Sequence, residues 1–354
     1  MAGRIAVLTF HPPSEIGGVE RFVYFLKAGF TRQGWEMDVY DASRFGESSS
    51  SFLSQQRVSY RIGRALKESG ERYDLVLSNG MLGWNVHVSP SVHVYHGTSW
   101  GVARGMGGVR APRTYAEAGM VGSVQEKLCG VGKAVVAVSS RTRQEVESAY
   151  RLRVSRVILN AVDLEFFRPL KGKEVLREEL GLPGDVFLGL FMDSAGLRKG
   201  KDVVEAVARQ LPGDCRILAV SRNSFDASSG VLVRSHLPLS VMPLVYNACD
   251  FFVFPSRYEG CSYAIIEAMA CGLPAVISDV GHAKEIAQWP VFRRLICPDI
   301  AAKSVLERIH VLRDDRDLCR EAGRQGRLFA ERYHSLPGFV NQYRGLFDEL
   351  IQRR

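Results

Sequence analysis

The sequence predicts two α/β domains of similar size, each built on a parallel sheet with helices on both faces. Three observations carry this. Twelve short apolar runs rich in β-branched residues alternate with longer amphipathic stretches along the chain. Six of the runs lie before about residue 165 and six after it. The length of 354 residues fits two domains at roughly 100–200 residues each.

In the first domain the strands are expected at Arg4–Phe10, Glu36–Ala42, Asp74–Ser78, Val92–Tyr95, Ala134–Val138 and Arg156–Leu159. In the second they are expected at Val186–Met192, Arg216–Val220, Gly230–Val233, Phe251–Pro255, Ala275–Ser278 and Arg294–Cys297. Among the helical stretches, Glu20–Gln33 puts Phe22, Val23, Phe25, Leu26 and Phe30 on one side. Gly34 stands just past its end, where helices prefer to stop. Gln56–Arg72 puts Val58, Ile62, Ala65 and Leu66 on one side, with Arg57, Arg61, Arg64 and Lys67 around it. Such a helix fits an anionic bilayer surface, and equally any surface helix with a buried stripe. Gly97–Gly122 holds seven glycines and three arginines without a clear period. It reads as an active-site or acceptor loop, or as plain disorder.

The polar turn Asn160-Ala161-Val162-Asp163, followed by Phe166-Phe167-Arg168-Pro169, reads as a linker. The domains are therefore expected at 1–165 and 166–338. Residues 339–354 carry Val340, Tyr343, Leu346, Phe347, Leu350 and Ile351 at helical spacing, a terminal helix suited to packing back toward the first domain.

Composition narrows the class. With 46% hydrophobic and 24% charged residues, a disordered or fibrous chain is excluded. The longest apolar runs, such as Val186–Met192, fall well short of the about 20 residues a membrane-spanning helix needs. Met-Ala-Gly-Arg followed by Ile5–Phe10 lacks a small-residue cleavage site and reads as a first strand. Seven cysteines, an odd number without a Cys-x-x-Cys pair, point to a reducing, cytoplasmic compartment, to thiols used as small core hydrophobes, and to no metal site. The net charge of +8 admits nucleotides, sugar phosphates, lipid headgroups or nucleic acid. Without aromatic–basic interleaving or a reading helix, nucleic acid is not expected as a partner. The glycine fingerprints of dinucleotide folds and P-loops are absent, as are Gly-x-Ser-x-Gly and His-Glu-x-x-His. Asp314-Asp315-Arg316-Asp317 reads as the solvated face of a helix.

The segment that carries chemistry runs from Pro255 to Pro274: Pro-Ser-Arg-Tyr-Glu259-Gly260-Cys261-Ser262-Tyr-Ala-Ile-Ile-Glu267-Ala-Met-Ala-Cys-Gly-Leu-Pro. A strand ends at Pro255, a polar turn follows, and a helix starts near Ser262. Free amides and a partial charge of about +0.5 at a helix N-terminus suit a diphosphate. Glu259 precedes that terminus and Glu267 lies within the helix, roughly 10 Å or more away. This suits two ends of one extended ligand better than a glycosidase pair at about 5 Å. Glu267, amid Ala, Ile and Met, must be paired or ligand-facing. A salt-bridged helix carboxylate is the structural alternative.

This segment resembles the nucleotide-sugar motif of the family 4 (group 1) retaining glycosyltransferases. The resemblance extends over essentially the whole chain. Gly17-Gly18-Val19-Glu20-Arg21 is similar to the family's glycine-rich loop, Asn160-Ala161-Val162-Asp163 to its linker, and Lys199-Gly200 with Asp202 and Ala206 to its Lys-Gly helix start. It implies two Rossmann-like domains with parallel sheets facing a cleft (GT-B), the C-terminal helix crossing back. It implies a metal-independent hexosyltransferase that needs no cofactor and moves a sugar from a nucleotide diphosphate, UDP or GDP rather than ADP, to a glycan, lipid-linked or small-molecule acceptor. It implies Glu259 and His96 as catalytic contacts to the donor sugar. For donor binding it implies Glu267 on the ribose, Gly17, Gly18 and the amides of Gly260, Cys261 and Ser262 on the diphosphate, and Lys199 on the leaving group. The family's arginine is replaced by Ser194, with Arg198 as a positional substitute, and its Gly-x-Gly-Pro by Ser221-Arg222-Asn223-Ser224. These departures leave open a catalytically weak sugar-nucleotide or glycan binding protein.

Overall fold

The computed structural model describes residues 3–45, 52–107, 112–235 and 237–353. In chain order the first elements are β1 (Arg4–Leu8), α1 (Val19–Arg32), β2 (Glu36–Tyr40), α2 (Phe52–Glu68), β3 (Leu75–Asn79), β4 (Ser91–Tyr95), α3 (Ser99–Gly105), α4 (Pro112–Gly130), β5 (Ala134–Ala137), α5 (Ser140–Glu145) and β6 (Val154–Val157). Next come α6 (Lys173–Glu179), β7 (Phe187–Asp193), α7 (Lys201–Ala208), β8 (Cys215–Ser221), β9 (Leu232–Arg234), α8 (Met242–Ala248), β10 (Phe251–Phe254), α9 (Tyr263–Ala270) and β11 (Ala275–Ser278). The chain closes with α10 (Ala283–Ile286), α11 (Pro290–Arg293), β12 (Ile296–Cys297), α12 (Ala302–Asp314), α13 (Arg316–Tyr333) and α14 (Leu336–Gln352). All twelve expected strands are present, with ends shifted by a residue or two.

The chain divides into a unit of Met1–Ala161 with Leu336–Arg354 and a unit of Val162–Ser335. The first holds a six-stranded sheet in the order β2-β1-β3-β4-β5-β6, and the second one in the order β12-β11-β10-β7-β8-β9. Every pairing is parallel. Both are doubly wound Rossmann-like sheets. Strand order reverses between β1 and β3 in the first and between β7 and β10 in the second. Crevices outside the strand C-termini at such switch points are where these sheets hold ligands.

The expectation of a loop or disorder over Gly97–Gly122 is corrected, apart from residues 108–111, which lie outside the described residues. The segment forms α3 and much of α4. Its glycines permit close packing. A Cβ on Gly119 would stand 2.5 Å from Ala103 Cβ, and one on Gly122 would stand 2.5 Å from Ser99 Oγ. The Asp314–Asp317 run is also more than a solvated face. Asp315 caps α13, its carboxylate accepting from the Leu318 amide at 2.9 Å.

Helix α14 belongs to the first unit, where its apolar stripe meets α1. Phe339 and Tyr343 pack edge-on against Phe22, each at 5.6 Å, and Phe347 lies 5.1 Å from Phe30. The contact is closest at Gly29, where a Cβ would stand 2.2 Å from Val340 Cγ2. Gly29→Ala should therefore destabilise the protein by about 1–3 kcal/mol in urea unfolding. Val340→Ala in the same chain should recover part of that loss, and additive losses would contradict this packing.

Candidate functional site

In the second unit the sequence's two basic and acidic motifs meet at the switch point. The loop after β7 carries Arg198 and Lys199, and the loop after β10 carries Glu259. Gly200 makes the approach possible. It adopts φ +83°, and a Cβ there would stand 2.1 Å from the Pro255 carbonyl oxygen. The loops are fastened by the Arg257 amide donating to the Arg198 carbonyl at 2.8 Å. The Arg257 guanidinium also binds both carboxylate oxygens of Asp202 at 2.7 Å.

Within that frame Lys199 Nζ donates to Glu259 Oε1 at 2.7 Å. Arg198 Nη1 stands 3.7 Å from the same oxygen and donates to the Tyr258 carbonyl at 3.2 Å. Ser256 Oγ completes the set at 2.6 Å from Glu259 Oε1. Lys199 Nζ also lies over the Phe254 ring, 4.7 Å from its centroid. Glu259 and Lys199 are both buried, so neither is a solvent-facing loop charge. Arg198, Lys199 and Glu259 together carry one net positive charge, the sign a diphosphate needs.

Helix α9 begins where expected, with Ser262 at its N-cap. Gly260, Cys261 and Ser262 form the turn before it, Cys261 and Ser262 being buried. Among the described residues no hydrogen bond takes up the amides of Gly260 or Ser262. The neighbouring segment presses close, since a Cβ on Gly281 would stand 2.8 Å from the Gly260 carbonyl and 2.9 Å from Glu259 Cβ. Glu267 is buried and accepts from Tyr246 Oη at 2.7 Å. It belongs to this helix, and Tyr246 lies on α8.

Two features escaped the sequence reading. Ser256 sits inside the quoted motif, three residues before Glu259, yet nothing in its type marks it as a partner. Asp193, at the end of β7, is buried and accepts from the amides of Ala195 (3.2 Å) and Gly196 (2.7 Å), from Ser221 Oγ (2.9 Å) and from Asn223 Nδ2 (2.8 Å). The departure at Ser221–Ser224 is thus an organised junction that holds the loop of Arg198 and Lys199. Ser194, where the family arginine would stand, is exposed.

In the first unit Gly17 and Gly18 precede α1. Gly17 has φ +101°, with the Glu20 carboxylate across its Cα, whereas a Cβ on Gly18 would meet no atom of the described residues within 4 Å. His96 follows β4, and its ring packs edge-on against Phe22 of α1 at 4.6 Å. Its Nε2 is buried without a hydrogen-bond partner among the described residues. Burial lowers its pKa to about 4, leaving a neutral imidazole. His93 lies on the other face and bonds Ser78 Oγ through Nδ1 at 2.9 Å. The turn carrying His96 is braced by two buried acids. Glu145 accepts from Thr98 Oγ1 at 2.6 Å, and Glu126 accepts from the Ser99 amide at 2.9 Å and its hydroxyl at 2.7 Å. Among the described residues no group of three or more His, Cys, Asp or Glu is arranged to hold a metal ion. All seven cysteines are free.

Comparison with known proteins follows these sites. Residues 195–315 match the family described as glycosyl transferases group 1, and residues 16–166 match glycosyltransferase family 4. The chain is similar to the D-inositol 3-phosphate glycosyltransferase of Xylanimonas cellulosilytica, 26% identical over 346 residues, covering 80% of this chain and 82% of that protein. It is 32% identical over 174 residues to the lipopolysaccharide core biosynthesis mannosyltransferase LpsB of Rhizobium meliloti, covering 43% and 47% of the two chains. In fold it is similar to the sucrose-phosphate synthase of Thermosynechococcus elongatus, with TM-score 0.82, 20% identity, and 99% and 100% of the two chains covered. HepE of Anabaena in complex with UDP and glucose gives TM-score 0.73 at 16% identity, with 98% and 100% covered.

Behind the Glu259 loop, His282 is fully buried with both ring nitrogens unpartnered among the described residues. It lies 5.6 Å from His334, and burial lowers its pKa from 6.5 to about 4. Between these values the unfolded state holds more protons, so stability rises with pH. The contribution is complete above pH 6.5 and is withdrawn as the pH falls toward 4. Wild type should lose about 2 kcal/mol more than His282→Phe between about pH 7 and about pH 5 in urea unfolding. Equal losses would refute this.

Proposed function

Because the chain belongs to the group 1 glycosyltransferases, and so is an enzyme that takes its sugar from a nucleotide-sugar donor, we propose that it transfers that sugar with retention of anomeric configuration and without a metal ion. The observation that carries the reading is the convergence of Arg198, Lys199 and Glu259 at the switch point of the second sheet. Departure of a nucleotide diphosphate concentrates negative charge on its terminal phosphate, and fixed cations stabilise that charge most in a desolvated site. Lys199 and Arg198 supply them here. The amides of Gly260 and Ser262 before α9 supply neutral donors to the same phosphates.

In this mechanism the bond from the anomeric carbon to the phosphate oxygen breaks while the acceptor oxygen bonds to the same carbon from the same face. The departing phosphate takes the acceptor's proton. No side chain acts as nucleophile. Glu259 contacts the sugar hydroxyls once the diphosphate draws Lys199 and Arg198 from it, and Glu267 holds the ribose in exchange for its bond with Tyr246. From the first unit, neutral His96 would offer a hydrogen bond to the donor sugar through its unpartnered Nε2. Gly18, whose missing Cβ relieves no clash among the described residues, would leave room for the phosphates.

The donor we propose is a UDP- or GDP-sugar, and the acceptor a glycan, a lipid-linked molecule or a small molecule in a reducing, cytoplasmic compartment. The free cysteines support the compartment. UDP in the HepE complex supports the first donor class. Exposed Ser194 in place of an arginine favours the second reading, a catalytically weak sugar-nucleotide or glycan binding protein. A thermal-shift panel of UDP-, GDP- and ADP-sugars should single out one nucleotide, and hydrolysis or transfer of that donor separates enzyme from binder.

Glu259→Gln keeps an acceptor for Lys199, which alanine would strand. It should lower kcat by about 10²–10³-fold while thermal unfolding and nucleotide affinity stay near wild type. A folded variant with near-normal turnover would overturn the assignment.

A further inference from the structure

The donor loops occupy one end of the second sheet. Glu259 and the start of α9 follow the C-terminal end of β10, whereas Cys249–Asp250 lead into β10 and Leu273–Pro274 lead into β11 from the opposite side. A cavity of about 520 Å³ opens on that opposite side, wholly within the second unit. It lies between the start of α6, the ends of α8 and α9, and one face of α13. Small-molecule sites are commonly of this size, about 300–1,000 Å³. Helix α9, eight residues long, separates the cavity from the donor loops by roughly 12 Å.

Its wall carries an excess of positive charge. Lys173, Arg320, Arg324 and Arg327 line it against two carboxylates, Asp250 and Glu331. Asp250 is engaged by Lys173 Nζ at 2.8 Å and by Arg177 Nη2 at 2.6 Å. Two helices end here with their carbonyls outward, a polarity that would repel an anion, but arginines cover both. Arg177 Nε donates to the Ala248 carbonyl at 2.8 Å, and Arg327 Nη1 donates to the Ala270 carbonyl at 2.9 Å. Arg320 and Arg324 are committed less firmly. They stand about one turn apart on α13 and pair with Asp317 and Glu321 of the same helix, both pairs being exposed. Such pairs contribute little, so a ligand can displace them. The rest of the wall is apolar, with Leu273 and Leu328 beside the thiols of Cys249, Cys271 and Cys319. Burial raises the pKa of all three thiols, which makes them neutral, polarizable wall rather than competing anions.

We propose that this cavity binds a small organic phosphate, its phosphate on the Arg320 and Arg324 guanidiniums and its carbon body against Leu273, Leu328 and the thiols. A phosphomonoester carries about −1.5 to −2 charges at neutral pH, and four cations against two carboxylates leave the wall with the matching surplus. Guanidinium groups meet phosphate oxygens two at a time, and the apolar half of the wall takes the body out of water. The cavity is preformed, because the end of α9 and α13 meet backbone to backbone. A Cβ on Gly323 would stand 2.3 Å from the Gly272 carbonyl oxygen. The inference is independent of the catalytic reading, since the donor loops lie at the other end of the sheet.

The test is alkylation of Cys319, the half-buried one of the seven thiols, by N-ethylmaleimide in the full chain, read by peptide mass spectrometry. Phenyl phosphate is the probe, inorganic phosphate supplies the head group alone, and UDP is the control for the donor loops. Saturating phenyl phosphate should slow the alkylation about tenfold or more. Inorganic phosphate should need a far higher concentration, and UDP should neither protect Cys319 nor displace phenyl phosphate. Arg320→Gln with Arg324→Gln should raise the phenyl phosphate concentration for half-protection by about tenfold or more, while thermal unfolding and donor-sugar turnover stay near wild type. Absence of protection, protection that survives in the double variant, or protection that UDP competes away overturns the proposal. So does equal half-protection by inorganic phosphate and phenyl phosphate, because the cavity would then hold an adventitious ion only.

Discussion

Lys199 and Glu259 are a lysine and a carboxylate held 2.7 Å apart and out of water, and the second unit is arranged to make that tolerable. Removing two charges from solvent costs several kcal/mol per ion unless the geometry is tight and the remaining valences are filled. Ser256 Oγ hydrogen-bonds the carboxylate, Arg198 adds a second cation 3.7 Å from it, and the Phe254 ring faces the ammonium. Everything upstream follows from this demand. β7 and β10 must be neighbours though far apart in sequence, Gly200 must lack a side chain, and Arg257 must bridge to Asp202. The arrangement also orders the lysine before any ligand arrives, so binding a diphosphate does not bear the full entropic cost of immobilising it.

The first unit meets a different demand. Its candidate residues are neutral, a glycine pair and an imidazole whose burial keeps it uncharged. Precision there comes from the surrounding acids. Glu145 and Glu126 bind the side chains and amide at the start of α3, where a negative charge is favoured by the helix dipole, and this fixes the turn between β4 and α3 on which His96 sits. Burial raises the pKa of Glu126, while Ser99 and Tyr150 supply hydrogen bonds that favour its ionised form. One unit holds charge in place; the other holds a neutral group in place by charges behind it.

Strand positions were legible because parallel strands buried on both faces read as short apolar runs whatever their neighbours. The Glu259 turn and the start of α9 were legible because proline, glycine and serine punctuate them. The partner of Glu259 was legible only through family resemblance. Nothing in Lys199-Gly200 taken alone says that this lysine is buried, since that depends on which strands adjoin. Asp193 was illegible for the same reason. Its four donors come from two loops about 28 residues apart, joined by the pairing of β7 with β8.

The misreading of Gly97–Gly122 has a physical cause that explains the exposed surface as well. Periodicity identifies a helix by its large apolar residues facing inward, and α4 is built the other way. Gly119, Gly122 and Gly130 face the interior because α3, Ser99 and Tyr95 come too close for a larger residue. Glu126 is drawn inward by hydrogen bonds. With Gly119, Gly122, Gly130 and the bound Glu126 turned inward beside Gln125 and Cys129, the apolar side chains of Met120, Val121, Val124 and Leu128 are left on the outside. Glycine on the outside would weaken a helix by about 1 kcal/mol per position, so close packing on the inner face accounts for where the glycines stand.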